Sequence, residues 1–258
     1  MTTQKPSFRD ACLAGTAQFG IFANIAHPAA VEVTAMGGPD FICVDGEHSQ
    51  IGRGDFENLF RAGELHGVPV MARVRGHAPD AIAGVLDAGA AGIMVPMVET
   101  AEQAEAVVSA SRYPPLGKRG VGPGRAAGYG YRIPDYLGRA NASVLVTIQV
   151  ESAEGLANIE AIAAVEGVDV IFIGPGDLGV SLSALDRADK PTVAEAIATI
   201  ALACRSAGRV CGIFRPSPAD VPAHVAMGIS FFIIASDAMH LTAQVQATSA
   251  AARALVKG

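Results

Sequence analysis

VLVTIQVESAEGLANIEAIAAVEGVDVIFIGPGDL, residues Val144–Leu178, carries the pattern that decides the fold. Two short, nearly unbroken apolar runs, Val144–Glu151 and Val168–Gly174, flank the Ala-rich stretch Ser152–Ala164. Strands buried on both faces lose polar alternation, so such runs read as parallel strands covered by helices. Ser152 supplies a capping hydroxyl where the helix begins, and Gly167 supplies a turn before the next strand. The unit is strand, helix, parallel strand. Both strands end in polar chemistry: Gln149-Val150-Glu151 and Gly174-Pro175-Gly176-Asp177.

The same rhythm extends in both directions. Further apolar runs stand at Phe19–Ile25, Phe41–Asp45, Val68–Val74, Gly92–Val98, Val210–Arg215 and Ser230–Ala235, which makes eight in all. Helical patterns fill Asp55–Leu65, Thr100–Ser111 and Thr192–Ala207, and Gly67, Gly89, Gly208 and Gly228 punctuate the turns. Eight strand–helix units in 258 residues predict a (β/α)8 TIM barrel, one domain over residues 1–258. A doubly wound sheet is the rival. The count of eight and the uniform composition favour the barrel. Only Tyr113–Arg132, with six Gly and three Pro, breaks the rhythm. A loop that long in a compact domain is functional or an interface element.

Composition removes whole classes of function. Half the residues are hydrophobic and 17% are charged, yet no apolar run approaches the roughly 18 residues of a membrane span. Net charge is −6 with no basic block, which argues against nucleic acid. Cys12, Cys43, Cys204 and Cys211 form no C-x-x-C pair, so no zinc site is expected, and Cys43 reads as a buried thiol. No G-x-G-x-x-G, G-K-[ST] or G-x-S-x-G motif occurs, and no signal peptide is visible, so the expected location is cytoplasmic.

In parallel α/β folds the active site lies at the carboxyl ends of the strands. There the sequence places Asp45-Gly46-Glu47-His48, Arg73-Val74-Arg75, Gln149 and Glu151, Asp177, Phe214-Arg215 and Ser236-Asp237. Glu151 and Asp177 end neighbouring strands about 4.8 Å apart, so both can reach one hard divalent ion; capping of the following helices is the alternative. Arg73 suits a substrate carboxylate or a salt bridge to a rim acid. His48, between acids and a strand end, suits a general base. Barrel enzymes that cleave carbon–carbon bonds use either a Schiff-base lysine or a metal-stabilised enolate. The four lysines, Lys5, Lys118, Lys190 and Lys257, end no strand, which favours the metal route.

The strings FICVDGEHSQ (Phe41–Gln50), LDAGAAGIMVPMVET (Leu86–Thr100), RYPPLGKRGVG (Arg112–Gly122), IQVES (Ile148–Ser152) and VEGVDVIFIGPGDL (Val165–Leu178) resemble the HpcH/HpaI aldolases. The similarity runs in order from about residue 8 to 245. These are class II, metal-dependent pyruvate aldolases acting on hydroxy-keto acids. The resemblance implies His48 as the catalytic histidine with Asp45 beside it, and Asp87 hydrogen-bonded to that histidine to raise its basicity. Its 14-residue spacing from Asp87 selects Arg73 over Arg75. It implies Glu151 and Asp177 as ligands of Mg²⁺, Mn²⁺ or Co²⁺, and Gln149, Gly176, Asp177 and Arg73 as substrate contacts. Val121 in the Gly-rich loop and Phe214 at strand seven would line the aldehyde pocket. The implied reaction releases pyruvate or hydroxypyruvate plus an aldehyde through a metal-stabilised enolate. Oxaloacetate decarboxylation, acyl-CoA cleavage and a non-catalytic oligomer are the alternatives. The implied assembly is a homo-oligomer, trimer or hexamer, whose last helix is exchanged between subunits. The chain departs from the pattern in four places: VRGHAPD follows the arginine where Pro is common, the loop reads GPGRAAGYG rather than A-R-A-[ST], strand seven ends Phe214-Arg215-Pro216, and strand eight reads IIASD rather than G-S-D.

Overall fold

A computed structural model describes residues 7–256; Lys5 and Lys257 lie outside the described residues. Eight strands pair in chain order, all parallel: β1 (Gln18–Ala23), β2 (Phe41–Asp45), β3 (Val70–Arg73), β4 (Gly92–Val95), β5 (Leu145–Val150), β6 (Val170–Ile173), β7 (Val210–Arg215) and β8 (Ile229–Ser236). β8 also pairs with β1, and that closure makes the (β/α)8 barrel and excludes the doubly wound sheet. Between them run α1 (Phe8–Leu13), α2 (Pro28–Met36), α3 (Phe56–Leu65), α4 (Pro79–Asp87), α5 (Ala101–Ser111), α6 (Ile133–Ser143), α7 (Ala153–Ala157), α8 (Ile159–Ala164), α9 (Pro175–Ser183), α10 (Val193–Ser206), α11 (Val221–Ala226) and α12 (Asp237–Leu255).

Local chemistry explains these boundaries. Ser152 Oγ accepts from Gly155 N at 3.0 Å and caps α7. The single helix expected over Ser152–Ala164 is two, because the chain breaks at Asn158, whose Nδ2 donates to Glu99 O at 2.8 Å. Gly67, Gly89, Gly167, Gly208 and Gly228 all have positive φ, as turns that end helices require. The strands β3, β4 and β6 are shorter than their apolar runs. Val74 and Val98 remain buried although the ladder has ended.

The apolar core forms in two shells. Cys43, Met71, Met94, Leu145, Phe172 and Phe231 fill the barrel. The outward residues of the strands pack against the helices in a larger cluster. α1 stops the amino-terminal end: Phe8 packs 5.3 Å from Phe41, and Cys12 is buried. Below it Asp169 accepts from Arg9, Arg112 and the amide of Val146 at 2.7–3.0 Å.

The Gly-rich segment is held to the outside of the barrel. Arg119 is buried against Tyr113 and Tyr136 and donates to Asp87 at 2.7 Å. A 3₁₀ turn at Arg125–Gly130 follows, with Tyr129 Oη and Arg61 2.6 Å apart against α3. α12 leaves the barrel after Ala238 and is exposed along nearly all its length. Beside it an apolar groove lined by Val33, Pro39, Val221, Pro222, Ile234 and Leu241 runs between α2 and α11. Among the described residues no helix is long and apolar enough to cross a membrane.

Candidate active site

Register builds the first half of the site. Asp45 and Arg73 are paired residues of β2 and β3. Arg73 donates to both carboxylate oxygens of Asp45, from Nε at 2.9 Å and Nη2 at 2.7 Å. Both residues are buried, and Arg73 lies over the ring of Phe22 at 4.5 Å. Burial by itself would raise the Asp45 carboxyl. The hydrogen bonds and charge of Arg73, with the amides of His48 and Glu47, outweigh it and hold the carboxyl below the usual aspartate range. Asn24 Nδ2 adds a bond to Asp45 at 2.8 Å.

Asp45 also shapes the chain beyond it. Its Oδ1 accepts from the amides of Glu47 at 3.1 Å and His48 at 3.2 Å. Gly46 must be glycine, because a Cβ there would stand 2.7 Å from Arg73 O. This turn brings His48 to the rim, where its side chain is 60% exposed. Glu47 points inward. Its Oε2 lies 3.3 Å from Arg73 Nε and 3.6 Å from His48 Nε2, yet the atom is buried and aligned with no donor. Burial pushes the Glu47 carboxyl up; Arg73 and His48 oppose this, and Asp45 and Asp177 add to it.

β5 and β6 supply the second half. Glu151 is buried, with Oε1 accepting from Met97 N at 2.9 Å and Oε2 in contact with Gln149 Nε2. Met97 has φ +52°, and this left-handed backbone follows β4 where the amide meets Glu151. Burial raises the Glu151 carboxyl, the two hydrogen bonds oppose it, and the charges of Asp177 and Glu47 push it further up. Asp177 stands in the first turn of α9. Gly174 leaves the space that Glu151 and Gln149 occupy, since a Cβ there would collide with both.

His48, Asp45, Arg73, Gln149, Gly176, Asp177 and Phe214 line one cavity of about 370 Å³, with Glu151 adjoining Gln149. Two expected residues are elsewhere. Asp87 ends α4, at the amino-terminal end of the barrel, and its carboxylate is taken by Arg119 rather than by His48. Val121 is exposed in the segment next to Gly122, which lies against Asp87, and it does not line the cavity. Within this chain both placements share one cause: α4 runs antiparallel to the strands, so its last residue, with Gly122 against it, is carried away from the rim where His48 stands. Asp45, expected beside His48, holds Arg73 with both its oxygens. Arg215 does not enter the cavity and pairs with Asp220 across the following loop.

Sequence reasoning missed Phe22, Asn24 and Met239, which also line the cavity, while Ser236 lines it as its strand-end position implied. Asn24 had a signal, being a polar residue inside the apolar run Phe19–Ile25. Met239 had none. It enters from the first turn of α12, placed there by Ser236 Oγ accepting from Met239 N at 3.2 Å.

The donor set fits a hard divalent cation. Glu151 and Asp177 offer carboxylate oxygens, their charges repel in its absence, and the buried Oε1 of Gln149 has no partner. Among the described residues no cluster of three or more His, Cys, Asp or Glu could hold an ion, so two protein ligands would leave open positions for a substrate.

The model of the HpcH/HpaI aldolase/citrate lyase family matches residues 18–243. The chain belongs to this family. It is 39% identical over 238 residues to 2-keto-3-deoxy-L-rhamnonate aldolase of Salmonella paratyphi B, covering 91% of this chain and 88% of that one. A family member from Burkholderia cenocepacia J2315 superposes with a TM-score of 0.88 at 34% identity, covering 95% of this chain and 98% of that one. The citrate synthase SbnG superposes with a TM-score of 0.87 at 30% identity, covering 98% and 99%. The HpcH/HpaI member described here is a carbon–carbon lyase of the aldolase type.

Proposed function

We propose that this lyase is a divalent-metal-dependent aldolase that reversibly splits 4-hydroxy-2-oxo acids into pyruvate or hydroxypyruvate and an aldehyde. The observation that carries this is the buried Arg73–Asp45 pair sharing one cavity with Asp177 and Gln149, against which the buried Glu151 lies. A cation set against the carboxylates is what a 2-oxo acid and its enolate need. A bound Mg²⁺, Mn²⁺ or Co²⁺ would act as a Lewis acid toward the 2-oxo acid carboxylate and keto oxygen. Gln149 and the amide of Gly176 orient the same end of the substrate. His48 accepts the 4-hydroxyl proton as the C3–C4 bond breaks, and Glu47, 3.6 Å away, orients the imidazole. Arg73, fixed by two bonds to Asp45, stabilises the charge that develops on the enolate, which then takes a proton at C3 to give pyruvate or hydroxypyruvate. Phe22, Phe214 and Met239 give the aldehyde an apolar wall.

Support for a homo-oligomer comes from two observations. α12 stands exposed beside an empty apolar groove, which suits exchange of this helix between copies in a trimer or hexamer. Asp87 and Val121 lie together away from His48, so they would reach a catalytic site only in a neighbouring subunit. Sedimentation velocity tests this assembly, and a monomer at micromolar concentration rejects it.

The deciding assay incubates the protein with pyruvate or hydroxypyruvate and a panel of aldehydes, with Mg²⁺, Mn²⁺ or Co²⁺, before and after EDTA. EDTA-sensitive aldol product is expected. Turnover of oxaloacetate alone would favour the decarboxylase, and turnover of a malyl-CoA-type thioester the acyl-CoA lyase. The acyl-CoA reading is disfavoured because Lys118, Arg119 and Arg125 line no part of the cavity.

A further inference from the structure

The turn that carries Glu47 and His48 is held from inside by Asp45, whose Oδ1 accepts from two amides and whose carbonyl accepts from Ser49 Oγ, and by Gly46 N donating to Arg73 O. Its outer side is different. A cleft of about 240 Å³ lies behind it, lined by Gly46, Ile51, Phe56, Val74 and Val85. Packing holds that side only where Ile51 is buried in the core and Phe56 lies against Gly46, because the cleft between them offers no contacts. Arg75 spans the gap. It donates from Nε to Gly46 O at 2.7 Å, and from Nη2 to Ile51 O at 3.3 Å and Ser49 O at 3.5 Å. Among the described residues it has no carboxylate partner, so its guanidinium is spent on the main chain of residues 46–51. The carbonyl oxygens of an irregular turn need donors, and one planar guanidinium supplies several in a fixed fork.

We infer that Arg75 is a positioning residue for the catalytic turn, fixing the main chain of residues 46–51 so that Glu47 and His48 face the cavity. Two arginines one residue apart thus divide the work. Arg73 binds the side chain of Asp45 and faces the substrate, while Arg75 binds the backbone of the following turn from outside. This reading extends the proposed role of His48, but its structural part stands independently of the reaction.

Amide hydrogen exchange on the intact protein tests it, alongside aldol kinetics. Arg75→Ala should speed exchange of the 46–51 amides about tenfold and lower kcat about five- to tenfold, with KM for pyruvate changed less than about twofold. Arg75→Lys, which restores one donor, should recover part of both effects. Arg53→Ala, in the same cleft with no bond to the turn, should change neither. Unchanged exchange in Arg75→Ala would overturn the inference, even if the wild type proves to have no aldolase activity. Faster exchange with unchanged kcat in an active enzyme would also overturn it. An inactive wild type whose Arg75→Ala variant still shows the exchange change would reject the aldolase proposal and leave the positioning role supported.

Discussion

The two ends of this barrel treat charge in opposite ways. At the amino-terminal end both oxygens of Asp169 are used: Arg9, Arg112 and an amide converge on them at 2.7–3.0 Å, and Arg119 is likewise bound to Asp87. At the carboxyl end the groups are left incomplete. Glu47 Oε2 and Gln149 Oε1 are buried without hydrogen-bond partners, and the Glu47 and Glu151 carboxyls are pushed up; at the other end Arg119 Nε also lacks one, but its guanidinium lies over the rings of Tyr113 and Tyr136. Two non-glycine residues of positive φ, Met97 and Ala235, also sit at this rim. Buried polar atoms without partners cost free energy, so they persist where a ligand completes them. One end is built on paired charges, and the other keeps buried acids and an amide oxygen open, as a site for a charged guest requires.

The contrast can be tested by breaking each end in turn. Glu151→Gln removes a proposed ligand from the open end, and metal-dependent cleavage should fall on the order of 10³-fold or more while the fold remains. Near-normal, EDTA-sensitive activity would end the ligand assignment. Asp169→Ala breaks the closed end and leaves two buried or half-buried arginines without their partner. The expected cost is roughly 3–5 kcal/mol of stability, a fall in Tm of about 10 °C, with kcat of the folded enzyme little changed. If kcat fell with no change in Tm, the division between the ends would be wrong. Arg73→Ala should do both things at once, losing about 10²–10³ in kcat and destabilising the fold by stranding Asp45.

Acid sharpens the comparison. The Asp45 carboxyl is held below its ordinary value in the folded state. Its contribution is therefore complete above the unfolded aspartate range and is lost as pH falls through the depressed folded value. Urea unfolding of metal-free protein should show Asp45→Asn far less stable than wild type near pH 7, with the gap closing below about pH 4. A gap that widens in acid would contradict the pairing. The smallest effect concerns strain. Ala235 is buried at φ +59°, at the irregularity where β8 shifts register beside β1. Ala235→Gly should change stability by about 0–1 kcal/mol in the favourable direction, relief of the left-handed backbone being partly offset by chain entropy.

Much of the site was legible because chemistry follows apolar runs. β2 and β7 end where the sequence placed their last residues, and Asp45, His48, Arg73, Gln149 and Asp177 meet in one cavity. Asp87 was legible in identity but not in place, since a motif gives a residue its partner's identity without saying which end of the barrel or which copy holds it. Met239 and Phe22 were illegible, because an apolar residue near a strand end looks the same whether it faces a core or a substrate.

The sequence by itself determined that eight parallel strands would present their carboxyl ends, with these acids, His48 and Arg73, to one rim. That follows from periodicity, because every strand in a β/α chain points the same way. Tertiary structure alone decided the pairings: Arg73 with Asp45 through the β2–β3 register, Glu151 with the amide of Met97, and Asp87 with Arg119 at the opposite end. Partners so far apart in the chain are chosen by register and barrel closure, which no local pattern encodes.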